Sequence, residues 1–359
     1  MGPVEVVAFV LGVFLLVLTL WDLFETIVVP RPTPGWFRIG RYLIRGSWRA
    51  LRTLRDGRGG RSYDRVLGLF APGATIALLA AWLVSLILGY GLVLFAVRDQ
   101  LRPVPTNLGT TVYFAATSVL TLGFGDIVAE GPVARIVAAM AAITGLGVVA
   151  LVVTFLFSLY GSYQRREVRV VMLQASAGAP PSAVALLETY AQLGLVEQLP
   201  GLFRDWQAWA AEVLDSHVAY PLLGFFRSSH DDLSWISALG TVLDASSLVL
   251  TTIEDLPRGD AKLFKRMGTH LVEDLSNLGF QVRRASGLER SAFEAACDRL
   301  EGSGYRLAPR DTAWPAFEAA RATYSARLEA MAAYWAMAGT QWLGDPVTLR
   351  QPIHARDDP

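Results

Sequence analysis

Six consecutive residues carry the clearest chemistry in the sequence: Thr121-Leu122-Gly123-Phe124-Gly125-Asp126. Glycines alternate here with larger residues. At Gly123 and Gly125 the backbone can take left-handed conformations at little steric cost. A chain that alternates between ordinary and left-handed residues turns successive carbonyls to one side. Rings of such carbonyls can replace the water that a cation sheds. Catalysis is not implied.

The elements that must position these residues belong to a membrane. The 359-residue chain is 53% hydrophobic and 18% charged, with mean hydropathy +0.37. Soluble domains carry about 25% charged residues. The formal net charge is zero, so charge alone names no partner, and no nucleic acid is expected. A spanning helix needs about 20 mostly apolar residues. Three stretches qualify: about Val4 to Val29, Gly73 to Val97 and Val133 to Tyr160. Asn107 to Val128, between the last two, is semi-polar and too short to cross and return as ordinary helix. Non-helical backbone at membrane depth is tolerated only where it faces protein or lines water, so this stretch is expected to re-enter. The apolar start is not expected to be a cleaved signal. It lacks a basic leader, carries Glu5 early and has no small-residue cleavage site before Pro30.

Positive charge sets the expected orientation. The link after the first span is rich in arginine, and Arg165, Arg166 and Arg169 follow the third span. Both regions are expected to be cytoplasmic, with a short N-terminus and the re-entrant segment outside. Arg38, Arg41, Arg45, Arg49, Arg52 and Arg55 recur every three or four residues, on one side of a helix. Trp36, Phe37, Leu43, Ile44 and Trp48 fill much of the other side, which predicts an amphipathic helix on the inner leaflet. The alternative is a cytosolic helix packed on its own protein. Asp56 to Arg61 is Gly-rich and predicts a break.

From about residue 170 the chain is mixed in charge and amphipathic. Helices are predicted over Ser182 to Gly194, Leu202 to Phe226, Asp231 to Ile253, Lys262 to Leu278, Leu288 to Leu300 and Pro315 to Met337. Asp22 and Glu25, near the inner end of the first span, predict a structural ion pair with neighbouring arginines. His217, His230, Asp231 and Asp232 lack the tight spacing of a metal site, and the two aspartates read better as helix caps. The tryptophans at 206, 209, 235, 314, 335 and 342, and the single Cys297, read as core. No cofactor is expected, and the phosphate-binding loop of a nucleotide site is missing.

The run Thr121 to Asp126, after the amphipathic stretch Asn107 to Leu120 and before a spanning helix, resembles the filter of the potassium-channel superfamily. Phe in place of the commoner Tyr is similar to channels of the two-pore-domain type and their bacterial relatives. The resemblance covers about Pro72 to Arg166, in the order outer helix, pore helix, filter, inner helix. It implies that the carbonyls of Thr121, Leu122, Gly123 and Phe124, with the Thr121 hydroxyl, hold potassium as the permeant ion. Phe124 is expected to pack backward on the pore helix. Asp126 lies at the outer mouth, where Tyr113 is expected to bond it. Leu122 departs from the usual Val or Ile, and Phe124 lacks the phenol that ties many filters to their pore helix. One filter per chain implies a cyclic homotetramer. In the inner helix, Gly145 is the expected hinge, and Leu146, Val149, Val153 and Phe157 the pore-facing gate.

The expected whole is an all-α membrane protein with three transmembrane helices, a re-entrant pore helix and filter per subunit, and an all-helical cytoplasmic C-terminal domain. Residues 1–30 form the extra N-terminal span, 31–70 the basic linker, 71–168 the pore domain and 169–359 a regulatory domain. The function implied is a gated, potassium-selective channel of the plasma membrane. Three alternatives stay open: a weakly selective cation channel, a potassium-uptake transporter subunit, and a membrane-anchored helical sensor whose pore does not conduct.

Overall fold

A computed structural model describes residues 2–29, 39–53, 61–228, 233–276, 282, 287–345 and 347. Helices dominate, and the chain divides into two compact units, residues 1–160 and 161–359.

In the first unit, α1 (Pro3–Leu23) runs into a π-helical turn (Phe24–Val28), and α2 (Ile39–Thr53) precedes α3 (Arg61–Ala96). A two-residue strand β1 (Leu101–Arg102) leads to α4 (Leu108–Val119). Strand β2 (Val128–Ala129) pairs antiparallel with β1 and leads into α5 (Pro132–Ala177). Three helices are long and apolar enough to cross a membrane: Pro3–Val28, Val66–Ala96 and Pro132–Ala177. Both α3 and α5 outrun the stretches expected from hydropathy alone. The polar start of α3 stays helical past Pro72, and the basic end of α5 stays helical through Arg165 and Arg166. Hydropathy marks where a helix can sit in lipid, not where its hydrogen bonding stops.

The first span packs on α3 of its own chain, antiparallel, and three contacts set the register. Near the start of α1, Glu5 faces Arg98 at 3.3 Å. In the middle the backbones cross so closely that a Cβ on Gly12 would lie 2.7 Å from the Gly89 carbonyl oxygen. Small residues allow that approach. At the far end the Trp82 indole donates to Asp22 Oδ2 at 2.7 Å, with both side chains buried. The sequence predicted an arginine partner for Asp22; this indole is a partner it did not predict. Trp48 of α2 is buried and meets Phe70 of α3, ring centroids 4.8 Å apart. That helix therefore turns part of its apolar side to its own chain. Arg45 and Arg49 are exposed, and the predicted break at 56–60, Trp36, Phe37 and Arg38 lie outside the described residues.

The second unit is helical: α6 (Ala183–Gln192), α7 (Leu199–Ala219), α8 (Trp235–Thr251), α9 (Gly259–Ser276), α10 (Arg290–Gly302), α11 (Arg310–Ala322) and α12 (Ser325–Trp335). Trp206, Trp209, Trp235 and Trp335 are core, as is Cys297, whose thiol is pushed up to about 11 by burial. Three predicted boundaries need correction. The helix predicted from Leu202 starts earlier, at Leu199, with Pro200 in the first turn of α7, where its missing N–H costs nothing. The helix after residue 230 is capped by Ser234, whose hydroxyl accepts from Ser237 N at 2.9 Å; Asp231 and Asp232 lie outside the described residues. The single helix expected over Pro315 to Met337 is two, parted at Tyr324, whose side chain is buried.

Trp82→Phe keeps an aromatic ring, although a smaller one, and removes the donor to a buried carboxylate. A cost of about 1–3 kcal/mol is expected, read as a lower melting temperature of the detergent-solubilised protein.

Candidate functional site: the 121–126 segment and the ends of α4 and α5

Asn107 starts α4 by accepting from Thr110 N through its side chain at 2.9 Å. The helix ends where the six-residue segment begins, and the segment's own amides close it. Thr121 N donates to Ser118 O at 3.0 Å, and Leu122 N to Thr117 O at 2.8 Å. Gly123 N also reaches Thr117 O, at 3.3 Å. The carbonyl end of a helix carries partial negative charge and favours cations nearby. Beyond the segment, Ile127 is buried and the β1–β2 ladder takes up the chain. Gln100 then caps α5, its Oε1 accepting from Val133 N at 3.1 Å and Ala134 N at 3.2 Å. The segment is thus anchored on both sides.

Its backbone is left-handed at every second residue: φ is +56° at Thr121, +57° at Gly123 and +80° at Gly125. The two glycines were legible from sequence. Thr121 was not, because a β-branched residue there costs about 1–2 kcal/mol. From Thr121 to Asp126 every residue is exposed in the single chain, with Leu122 at 55% and Phe124 at 66%. Phe124 is thus largely uncovered in the single chain. Asp126 acts on the Tyr113 hydroxyl. The nearby carboxylate holds the phenol above its ordinary value.

The expected gate residues all fall on α5. Gly145 sits against the end of α4, where a Cβ would come within 1.8 Å of the Val119 carbonyl oxygen. That approach demands glycine whatever bending occurs, and α5 is helical throughout. Leu146, Val149, Val153 and Phe157 share one face and are exposed in the single chain, Phe157 the most at 77%. Tyr90 of α3 ties in at this level, its hydroxyl 2.7 Å from Thr144 Oγ1.

In the second unit the last turns of α5 carry a feature that sequence reasoning missed. Arg166 is almost fully buried. Its guanidinium donates to Glu167 Oε1 at 2.9 and 3.1 Å, to Leu223 O at 2.9 Å and to Phe226 O at 2.7 Å. Nη1 also meets His217 Nε2 at 3.1 Å, while His217 Nδ1 meets Val213 O at 2.8 Å. The carbonyl accepts, so Nδ1 carries the proton and Nε2 accepts from Arg166. Burial first, then the Arg166 charge, holds His217 well below its ordinary 6.5. His217 is thus a neutral structural partner, and the described residues hold no cluster that could bind a metal ion.

The family model described as "Ion channel" matches residues 77–161, which supports an ion-channel domain there. No curated protein and no solved structure matches the chain.

Two outcomes are expected. Gly145→Ala forces α5 off the end of α4 at an overpacking cost of about 1–3 kcal/mol, lowering the melting temperature, whereas Gly147→Ala, with open space around it, leaves it unchanged. Folding keeps the proton off His217, so the unfolded chain binds more protons once pH falls below about 6.5. Stability then drops as pH falls. Between pH 7 and 5 the melting temperature of the native protein should fall more steeply than that of His217→Gln.

Proposed function

We propose that this chain is one subunit of a homotetrameric, potassium-selective channel of the plasma membrane, gated through its helical C-terminal domain. The observation that carries the proposal is the left-handed backbone at Thr121, Gly123 and Gly125, within residues that match the ion-channel family model. Alternation of this kind turns the carbonyls of Thr121, Leu122, Gly123 and Phe124 to one side. Four chains around one axis make them rings that replace potassium's water. The Thr121 hydroxyl adds the innermost oxygens, and Asp126 draws cations to the outer mouth.

The exposed apolar residues support assembly. Leu122 and Phe124 at the segment, and Leu146, Val149, Val153 and Phe157 along α5, are large apolar side chains without cover in one chain. In the tetramer Phe124 packs on the α4 of a neighbouring chain and holds the ring at its diameter. The α5 faces surround the inner pore, and a ring of Phe157 closes it by dewetting. The helical domain acts on the pore through α5, whose last turns it holds by Arg166.

Purified protein in proteoliposomes is expected to pass potassium and to exclude competing sodium. Gly123→Asp puts a charged side chain where φ is +57° and is expected to abolish the flux at unchanged insertion and oligomer mass. Sodium passing as readily as potassium would overturn the selectivity, and a monomer or dimer by native mass would overturn the pore.

A further inference from the structure

A cavity of about 290 Å³ opens in the second unit between α8, α11 and α12. A water occupies about 30 Å³ in the liquid, so the cavity has room for about ten. That is too large for one bare ion and close to the lower end of small-molecule sites, about 300 Å³. One wall is apolar, with Ile236 and Leu328.

The polar part of the lining is built around Asp244. Its side chain is 2% exposed. Oδ1 accepts from the Tyr324 hydroxyl at 2.5 Å and from Arg321 Nε at 3.2 Å. Both bonds fall on that one oxygen. Oδ2 receives neither of them and is not among the fully buried atoms, so it opens to the cavity that Asp244 lines. Ser325, buried at the start of α12, lines the same cavity, as does Thr340, whose buried hydroxyl has no partner among the described residues. Glu329 adds a second carboxylate against the single lining guanidinium, Arg321. Lys265 stands over the Tyr324 ring at 5.9 Å and does not line the cavity. A carboxylate oxygen open to a cavity takes its donors from what fills that cavity. An ammonium supplies both the charge and the hydrogen bonds, and a short carbon skeleton fits the apolar wall.

We infer that this cavity binds a small organic ammonium compound, its nitrogen on Asp244 Oδ2 and Ser325 Oγ and its carbon skeleton on Ile236 and Leu328. The site does not depend on which ion the pore passes, and its test uses no flux.

Isothermal titration of the full-length protein in detergent with propylammonium chloride tests this, with 1-propanol, sodium propionate and potassium chloride as controls. Saturable binding of propylammonium alone is expected. Ser325→Ala should weaken it about tenfold, the loss of one hydrogen bond to a charge, and Asp244→Asn should abolish it. If Asp244→Asn melts below the assay temperature, Ser325→Ala carries the test. No saturable binding, equal binding of propanol, preference for propionate through Arg321, or unchanged affinity in Ser325→Ala would each overturn the site.

Discussion

A backbone that is left-handed at every second residue does not hold itself. Thr121, Gly123 and Gly125 take that conformation, and at Thr121 it runs against the preference of a branched side chain. Such a segment persists only where its surroundings over-determine it. The surroundings here are specific. The Thr117 carbonyl receives two amides of the segment, and buried Ile127 and the β1–β2 ladder take the chain away on the far side. Around that anchorage the helices close in. Gly145 lets α5 touch the end of α4, and Gly91 does the same for α3, since a Cβ there would lie 2.7 Å from Val112 Cγ2. The short helix α4 is thus wedged by two long helices through positions that cannot carry a side chain.

Much of this was legible before any coordinates. Three apolar runs of spanning length and a semi-polar interruption state the order of helices directly, because lipid demands internally satisfied backbone. Gly-x-Gly states where left-handed backbone is affordable. What stayed hidden depends on tertiary contact. Nothing in a Thr codon-for-codon suggests φ of +56°, and Gly145 reads equally as a hinge until the Val119 carbonyl is seen beside it. Phe124 is the reverse case: the sequence suggests a buried aromatic, yet the side chain is 66% exposed in the single chain.

In the second unit the sequence identified the class and the core but misplaced several ends. A proline can end one helix or start the next: Pro200 lies in the first turn of α7 and Pro309 at the N-cap of α11. The chain parts α11 from α12 so that Tyr324 can reach Asp244, a demand made 80 residues away. Arg166 is the larger lesson. By charge it marks the inner side of a span, yet it is the most heavily bonded side chain at the end of α5, with His217 as neutral partner. Breaking one partner of a buried charge costs about 3–5 kcal/mol, which makes it a firm grip on the helix that continues from the channel domain.

The reversal potential under bi-ionic conditions tests the central claim most directly. With potassium on one side of a planar bilayer and sodium on the other, the current through the purified protein is predicted to reverse only at strongly polarised voltages, as potassium alone carries it. A reversal near zero would mean that both ions pass alike, and would contradict the role assigned to the carbonyls of Thr121 to Phe124.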